Sequence, residues 1–486
     1  MPNMTLNRAA QEEAPVPLFV DLDGTLVKSD TLVDSLLVLM RTRPARLLKL
    51  PGRLLGGGKA SFKAFFSESI SIDVAHLPYN RKLVSYLQGE HARGRKIYLA
   101  TGADERLAQR VSDHLGIFSG VMGSDGATNL IGDHKLARLQ SFVDSEAFDY
   151  VGNDRPDLAL LAHARRPMVA NPTRSLDRGL KKRGITPTHE FVERTHPLKS
   201  LLKAIRLHQW AKNMLIFIPL LLAHSLAMGK IVPALLAFFC FSLTASATYI
   251  VNDLLDIEAD RRHPRKRLRP FASGDLSAFT GAGIVAAFLL LALLGARLLP
   301  MTFYMWLLLY LATTLAYSTY LKRVVLVDVM VLAGLYTLRL QAGGAATQTP
   351  ISHWLAGFSI FLFLSLAFVK RFAELQNMRA SGSTPKNGRG YLVVDLDQLR
   401  AFGTASAFAS VVVFANYISG RDVVLLYQQA KFLWLIVPLM ILWLCRVWLL
   451  ASRGELNEDP VIFAITDRTS LLIGVGVVAV TLLAIG

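Results

Sequence analysis

Beyond about residue 210 this chain is a succession of apolar stretches near bilayer length, and that pattern limits what it can fold into more than any other. Nine such stretches lie at roughly 212–228, 231–251, 276–297, 300–319, 324–342, 351–369, 400–419, 431–451 and 467–486. A helix needs about 20 predominantly apolar residues to span a membrane. Charged residues make up 18% of the 486, against about 25% in an average soluble domain. The deficit falls in the second part of the chain. A single soluble domain, a disordered chain and a small disulfide scaffold are all excluded. Cys240 and Cys445 sit in apolar runs with no ligand at metal spacing, so both read as reduced packing residues.

Charge sets the expected topology. The stretch DLLDIEADRRHPRKRLRPFASGD carries six Lys or Arg. Lys322 and Arg323 follow two spans later, and Lys370, Arg371, Arg379, Lys386 and Arg389 two spans after that. The alternate loops are short and nearly uncharged. Basic loops stay cytoplasmic, so nine spans from a cytoplasmic N-terminus put the C-terminus outside. The formal net charge of +17 then points to basic cytoplasmic loops and anionic partners. Membrane lipids are expected partners. No base-reading or stacking module is evident, so nucleic acid is not expected as a partner. The polar stretch Met1–Ala14 does not read as a signal peptide.

The first part has a different solvent. Short apolar runs at Pro17–Asp21, Lys96–Ala100, Phe148–Gly152 and Pro167–Ala170 alternate with helical patterns. That alternation predicts an α/β domain with a parallel, doubly wound sheet over residues 1–180. Residues 30–92 would form a helical cap. Within it RTRPARLLKLPGRLLGGGKASFKAFF is basic and apolar by turns, as suits either membrane-surface contact or packing on the core. A basic linker follows at 181–205, and the membrane domain occupies 206–486.

Two motifs carry chemistry. In FVDLDGTLV, Asp21 and Asp23 lie two residues apart at a strand end and so point the same way. One carboxylate can attack phosphorus while Mg²⁺ shields its charge, and the other can serve as acid and base on the leaving group. In VNDLLDIEADRRHPRKRLRP, Asp253, Asp256 and Asp260 fall within about 60° of one helix face. Three carboxylates at a membrane boundary need either cationic partners, such as Arg261, Arg262 and Arg265, or a divalent metal. Oxygen ligands suit Mg²⁺ with a substrate phosphate. Lys266, Arg267 and Arg269 beside them make a phosphate clamp. Asp328 and Arg339, inside one apolar stretch, are eleven residues apart and face either each other's side of the helix or neighbouring spans.

The first motif, with Thr101 in IYLATG, Lys135 in NLIGDHK and the group GNDRPD, resembles the haloacid-dehalogenase-like phosphatases over about residues 15–175. The resemblance implies that Asp21 is the phosphoryl-accepting nucleophile and Asp23 the general acid/base. It implies that Thr101 and Lys135 bind phosphate and that Mg²⁺ is held by Asp21, Asp23 and the 153–157 group. There the family's first Asp is Asn153, with Asp154 next to it and Asp157 as the outer carboxylate.

The NDxxDxxxD pattern, the following KRxRP and the basic loops resemble the UbiA superfamily of intramembrane prenyltransferases over roughly 200–486. RLHQWAKN, the Asp-rich stretch and VKRFAEL narrow the resemblance to the branch represented by decaprenyl-phosphate phosphoribosyltransferase. The second Asp-rich motif of the wider family has no close counterpart here. What the branch implies is an inner-membrane enzyme that transfers 5-phosphoribosyl from phosphoribosyl diphosphate to a polyprenyl phosphate. Asn252, Asp253, Asp256 and Asp260 would hold Mg²⁺ and diphosphate. Lys212, Lys266, Arg267, Lys370 and Arg371 would bind phosphates, with Tyr249, Tyr317 and Lys322 at the same membrane face. The fused phosphatase would remove the 5-phosphate. Transfer of a polyprenyl group from its diphosphate to a ring such as 4-hydroxybenzoate is the alternative, and a non-catalytic membrane scaffold the second. A homo-oligomer is compatible with the sequence.

Overall fold

Leu18, Phe19 and Val20 are wholly buried, as a strand covered on both faces of a parallel sheet must be. In the computed structural model they form β1, the centre of a six-stranded, all-parallel sheet. The strands are β1 (Leu18–Val20), β2 (Ile97–Asp104), β3 (Gly120–Ser124), β4 (Asp149–Gly152), β5 (Pro167–Ala170) and β6 (His189–Phe191). Their order is β3-β2-β1-β4-β5-β6. The order reverses direction between β1 and β4, and a doubly wound sheet opens a crevice at the carboxyl ends of its strands at such a point. Asp21 follows β1 and Asn153 follows β4, so both motifs arrive at that crevice.

The α/β expectation is met, and four of the six strands coincide with the expected apolar runs. The other two had weaker signals. β3 reads GVMGS and β6 is three residues at the sheet edge, two of them exposed.

The structure describes residues 16–49, 70, 72–124, 130–143, 147–224, 227–380, 389–456 and 459–485. Much of the expected cap falls outside these residues, including most of its basic-apolar stretch, as do Lys386 and the N-terminal polar segment. Of the cap, the helices Thr31–Thr42 and Arg81–Ala92 are described. Asp30 caps the first by accepting the Leu32 and Val33 N–H groups.

The chain divides into two compact units. One joins residues 1–204 with 253–282, and the other joins 205–252 with 283–486. The Asp-rich stretch therefore packs with the N-terminal residues, although the linear reading assigned it to the membrane domain.

Among the described residues six helices combine the length and apolarity to cross a membrane: Met228–Leu255, Ala278–Ala296, His353–Arg379, Val393–Ile418, Ala430–Ser452 and Arg468–Ile485. Nine were expected. The stretch at 212–228 is not one helix but a 3-10 run, Leu207–Phe217, followed by the short helix Ile218–Leu222, which has Pro219 in its first turn. The helices Met301–Thr319 and Val327–Thr347 reach bilayer length, about 28 Å or more at 1.5 Å per residue, but both are diluted by polar residues. Cys240 and Cys445 are free thiols.

Candidate functional site

The crevice of the N-terminal unit is a cavity of about 300 Å³ lined by Asp21, Asp23, Lys135, Asn153 and Asp157 among others. Gly24, with φ +76°, lets the chain turn back sharply after β1. A Cβ there would lie 2.0 Å from Asn153 Nδ2. Thr25 Oγ1 is 3.2 Å from both Asp21 Oδ2 and Asn153 Oδ1. Lys135 Nζ donates to Asp21 Oδ1 at 2.7 Å and to the Tyr150 hydroxyl at 3.1 Å. Tyr150 in turn donates to Asp157 Oδ1 at 2.8 Å. The Asn153 and Asp154 N–H groups both donate to Asp157 Oδ2. Asp157 thereby shapes the loop after β4.

Burial dominates the electrostatics of the pair. It raises Asp21 to about 6, with Lys135 opposing. It raises Asp23 to about 7, reinforced by Asp30 and opposed by the Thr31 N–H, which donates to Asp23 Oδ1 at 2.8 Å. Two neighbouring carboxyls of different proton affinity are the raw material for a nucleophile and an acid/base.

Five of the sequence-picked residues in this unit are brought together: Asp21, Asp23, Lys135, Asn153 and Asp157. Asp154 also reaches the cavity wall, but its carboxylate accepts the Thr173 hydroxyl at 2.8 Å. Asn153, not Asp154, takes the place beside Asp21. Thr101 is fully buried, and its hydroxyl accepts the Ala103 N–H at 3.0 Å rather than lining the cavity, whose wall begins at Gly102. Tyr150 was not expected here. Its position in a buried strand gave no sign that its hydroxyl would bridge Lys135 and Asp157.

The Asp-rich segment is not one continuous helix. The helix Met228–Leu255 stops, Asp256 takes φ −92° and ψ 8°, and the helix Ile257–Arg262 begins. The expectation of three carboxylates on one face fails at this break. Asp253 and Asp260 nonetheless meet, because Arg269 Nη1 donates to both, at 3.0 and 2.7 Å. Asp256 turns instead to Arg41, whose Nη1 is 2.9 Å away. Arg261 is buried and donates to Asp34 at 2.8 Å and to Ser29 at 3.0 Å. Burial raises the Asp260 carboxyl against the pull of Arg269. Arg269 thus neutralises Asp253 and Asp260, and Arg41 neutralises Asp256. Among the described residues no three or more His, Cys, Asp or Glu gather as a metal cluster. The set still suits Mg²⁺ in its chemistry, since every side chain offered is a hard oxygen donor. Lys266 and Arg267 form an exposed 3-10 turn beside them.

The second unit has its own polar centre. Lys212 Nζ and Lys370 Nζ donate to the same Asp459 oxygen, at 2.7 and 2.8 Å. Tyr336 OH lies 3.4 Å from the other oxygen. Burial pushes the Asp459 carboxyl up, but Lys370 and Lys212 outweigh it and hold it well below the usual carboxylate range. Asp459 also caps the helix Pro460–Thr466. Sequence reading missed it. The Asp-Pro pair advertises a helix start, and nothing in it signals the two lysines.

Arg371 is a different case. Its guanidinium donates to Asp328 at 2.5 Å, Glu374 at 2.7 Å and the Tyr317 hydroxyl at 3.1 Å. Tyr391 also donates to Asp328. Arg371 and Tyr317, both expected to face phosphate, are thus committed to a buried latch. Asp328 and Arg339 pair with other elements, not with each other. Arg339 donates to Asn213 at 2.8 Å and to the Tyr310 hydroxyl at 3.0 Å. Lys322 donates to Asn252 at 3.1 Å, and Tyr249 lies under Arg206, 5.0 Å from its ring centre.

Comparison with known proteins places this geometry in context. Residues 215–471 match the UbiA prenyltransferase family. The chain is 37% identical over 463 residues to protein y4nM of Sinorhizobium fredii, an alignment spanning 94% of this chain and 89% of that one. It is 33% identical over 289 residues to a decaprenyl-phosphate phosphoribosyltransferase of Mycobacterium tuberculosis, spanning 57% of this chain and 92% of the relative. Among solved structures it is similar to a UbiA homolog from Archaeoglobus fulgidus bound to GPP and Mg²⁺, at 19% identity and a TM-score of 0.45, over 58% of this chain and 99% of that one.

Proposed function

We propose, from the premise that this chain belongs to the UbiA prenyltransferase family, that it is a bifunctional enzyme acting on a polyprenyl phosphate. The first step moves 5-phosphoribosyl from phosphoribosyl diphosphate to the lipid. A phosphate oxygen of the lipid forms a bond to the anomeric carbon, and the bond from that carbon to the diphosphate breaks. The second step removes the 5-phosphate in the N-terminal unit. The supporting observation for the first step is the pair Lys212 and Lys370 converging on Asp459. Two cations gathered on one carboxylate make an anion site without a second Asp-rich motif. Similarity to the phosphoribosyltransferases over nearly their whole length points the same way.

In this reading Asp253 and Asp260, with Asn252, would hold Mg²⁺ and the donor, and Asp256 would join them on release from Arg41. The metal supplies charge neutralisation to the departing diphosphate. Arg269 gives up its carboxylates and, with Lys266 and Arg267, takes the phosphate oxygens. Lys212, Lys370 and Lys322 orient the acceptor phosphate. Reaction then needs charge and position rather than a protein nucleophile.

In the N-terminal unit the Asp21 carboxylate attacks phosphorus, and Asp23 gives its proton to the leaving ribose oxygen. Water, with Asp23 now as base, hydrolyses the aspartyl phosphate. Asp21, Asp23 and Asn153 offer oxygen donors around one cavity, a set that fits Mg²⁺. Lys135 holds Asp21 in place and meets the phosphate.

The test uses the full chain in detergent with Mg²⁺. Phosphoribosyl diphosphate plus polyprenyl phosphate is compared with polyprenyl diphosphate plus 4-hydroxybenzoate, reading the lipid by mass spectrometry. A ribosyl lipid in the first mixture is expected, and Asp21→Asn is expected to leave it 5-phosphorylated. A prenylated ring in the second mixture alone would overturn the reading.

A further inference from the structure

The N-terminal unit has a second and larger cleft, of about 780 Å³. Three stretches of chain form it: residues 28 and 75–82, residues 192–195 with 203, and residues 261–275. Its volume lies in the range of small-molecule sites, roughly 300–1,000 Å³. None of the residues lining the Asp21 cavity lines this one.

Its charge is one-sided. Seven Lys or Arg side chains line it against two carboxylates, Glu193 and Asp275, and one of the seven, Arg261, is already paired with Asp34. Asp275 is taken by Lys28 at 3.6 Å. Glu193 accepts the backbone N–H of Arg81 at 2.6 Å, so it fixes the chain and leaves the Arg81 guanidinium aside. Lys203 donates to the Leu268 carbonyl, a neutral partner. Among the described residues no carboxylate lies within ion-pair distance of the side chains of Arg81, Lys82 or Arg267.

Cations held around a concavity repel one another, and a low-dielectric wall concentrates their field on the space between. An ordinary solvated basic face is convex and spreads such charges apart. Here Arg81 and Lys82 open the helix Arg81–Ala92, and Arg267 comes from a 3-10 turn nearly two hundred residues later. The fold has brought them to one cleft. Leu268 and Val192, 59% and 44% exposed, add apolar surface to the same wall. Guanidinium and ammonium groups beside exposed apolar side chains suit a phosphate carried on an organic group.

We propose that this cleft binds a phosphate-bearing anion, at a site separate from the Asp21 cavity and bordering the Asp-rich segment, with which it shares Arg267. The same phosphate chemistry is available from a soluble phosphate ester and from the headgroup of a polyprenyl phosphate. The inference stands on the cleft alone and holds whether or not the chain transfers phosphoribose.

The test follows hydrogen–deuterium exchange in the full chain, reconstituted in phosphatidylcholine nanodiscs. One arm adds ribose 5-phosphate. The other replaces part of the phosphatidylcholine with a polyprenyl phosphate. Protection of 75–82 and 192–195 in the first arm identifies a soluble ester, and in the second a lipid headgroup. In either arm the double variant Arg81→Gln/Lys82→Gln should weaken the protecting ligand about tenfold, as loss of two charge-assisted contacts implies. The control Lys182→Gln/Arg183→Gln removes equal charge from an exposed helix end and should change nothing. Absence of protection in both arms would overturn the proposal. So would protection that the first variant leaves intact, or that the control abolishes equally.

Discussion

Lys212 Nζ lies 2.7 Å from Asp459 Oδ2, and the two residues are 247 positions apart in the chain. Lys370 reaches the same oxygen. One carboxylate therefore sets the separation of two cations that would otherwise repel. Removing the shared carboxylate of this partly buried group leaves two neighbouring cations uncompensated. Asp459→Asn is expected to lower phosphoribosyl transfer by about tenfold or more, the scale of 1.4 kcal/mol per tenfold. Hydrolysis of p-nitrophenyl phosphate by the same preparation should stay unchanged. Equal loss of both activities would instead mean global unfolding.

Arg269 competes with any cation for Asp253 and Asp260. Taking away a positive charge within 3 Å strengthens the attraction of that pair for metal. Arg269→Gln should therefore lower the Mg²⁺ concentration that half-saturates transfer, by about tenfold, while lowering turnover as a phosphate contact is lost. A Mg²⁺ titration of initial rates separates the two effects. A weaker apparent Mg²⁺ affinity would show that Arg269 serves to shape the segment rather than to hold its charge in reserve.

These two residues show where sequence reading stopped. The sheet was legible because β1, β4 and β5 are buried runs bounded by turn residues, and the helices because apolar length is a local property. The Asp21–Asp23 pair was legible because both sit on one strand end. The break at Asp256 was not. Spacing alone describes a straight helix, and the ion pair with Arg41 that accompanies the bend joins residues more than two hundred apart. Asp459 was hidden for the same reason. The Arg371 latch shows the converse, since a basic residue expected to bind phosphate is spent on Asp328, Glu374 and Tyr317.

Gly24 allows a narrow test of the N-terminal site. Its φ of +76° costs a residue with a Cβ about 1–2 kcal/mol, and the added methyl would overlap the Asn153 amide. Gly24→Ala should displace Asn153 from Asp21 and Thr25 and cut phosphatase turnover by about a hundredfold, within the usual contribution of a positioned acid/base. Transfer, read from the lipid product, should survive. The product should then accumulate with its 5-phosphate in place.

Proton binding at the same site gives a pH dependence of definite sign. Asp21 and Asp23 are raised from 3.8 to about 6 and about 7 by burial. In the metal-free protein the folded state keeps protons that the unfolded state has released, so these groups stabilise the fold below pH 3.8 and that contribution is lost as pH rises through 6 and 7. Metal binding requires the carboxylates ionised, so Mg²⁺ and protons compete. Without Mg²⁺ the unfolding midpoint of the full chain should fall between about pH 5 and about pH 8, and saturating Mg²⁺ should raise it most at the upper end. Asp21→Asn/Asp23→Asn should flatten both trends. Thermal unfolding in detergent, with and without EDTA, measures all four conditions. A Mg²⁺ shift that is equal at both ends of the range, or that persists in the double variant, would place the stabilising metal elsewhere in the chain.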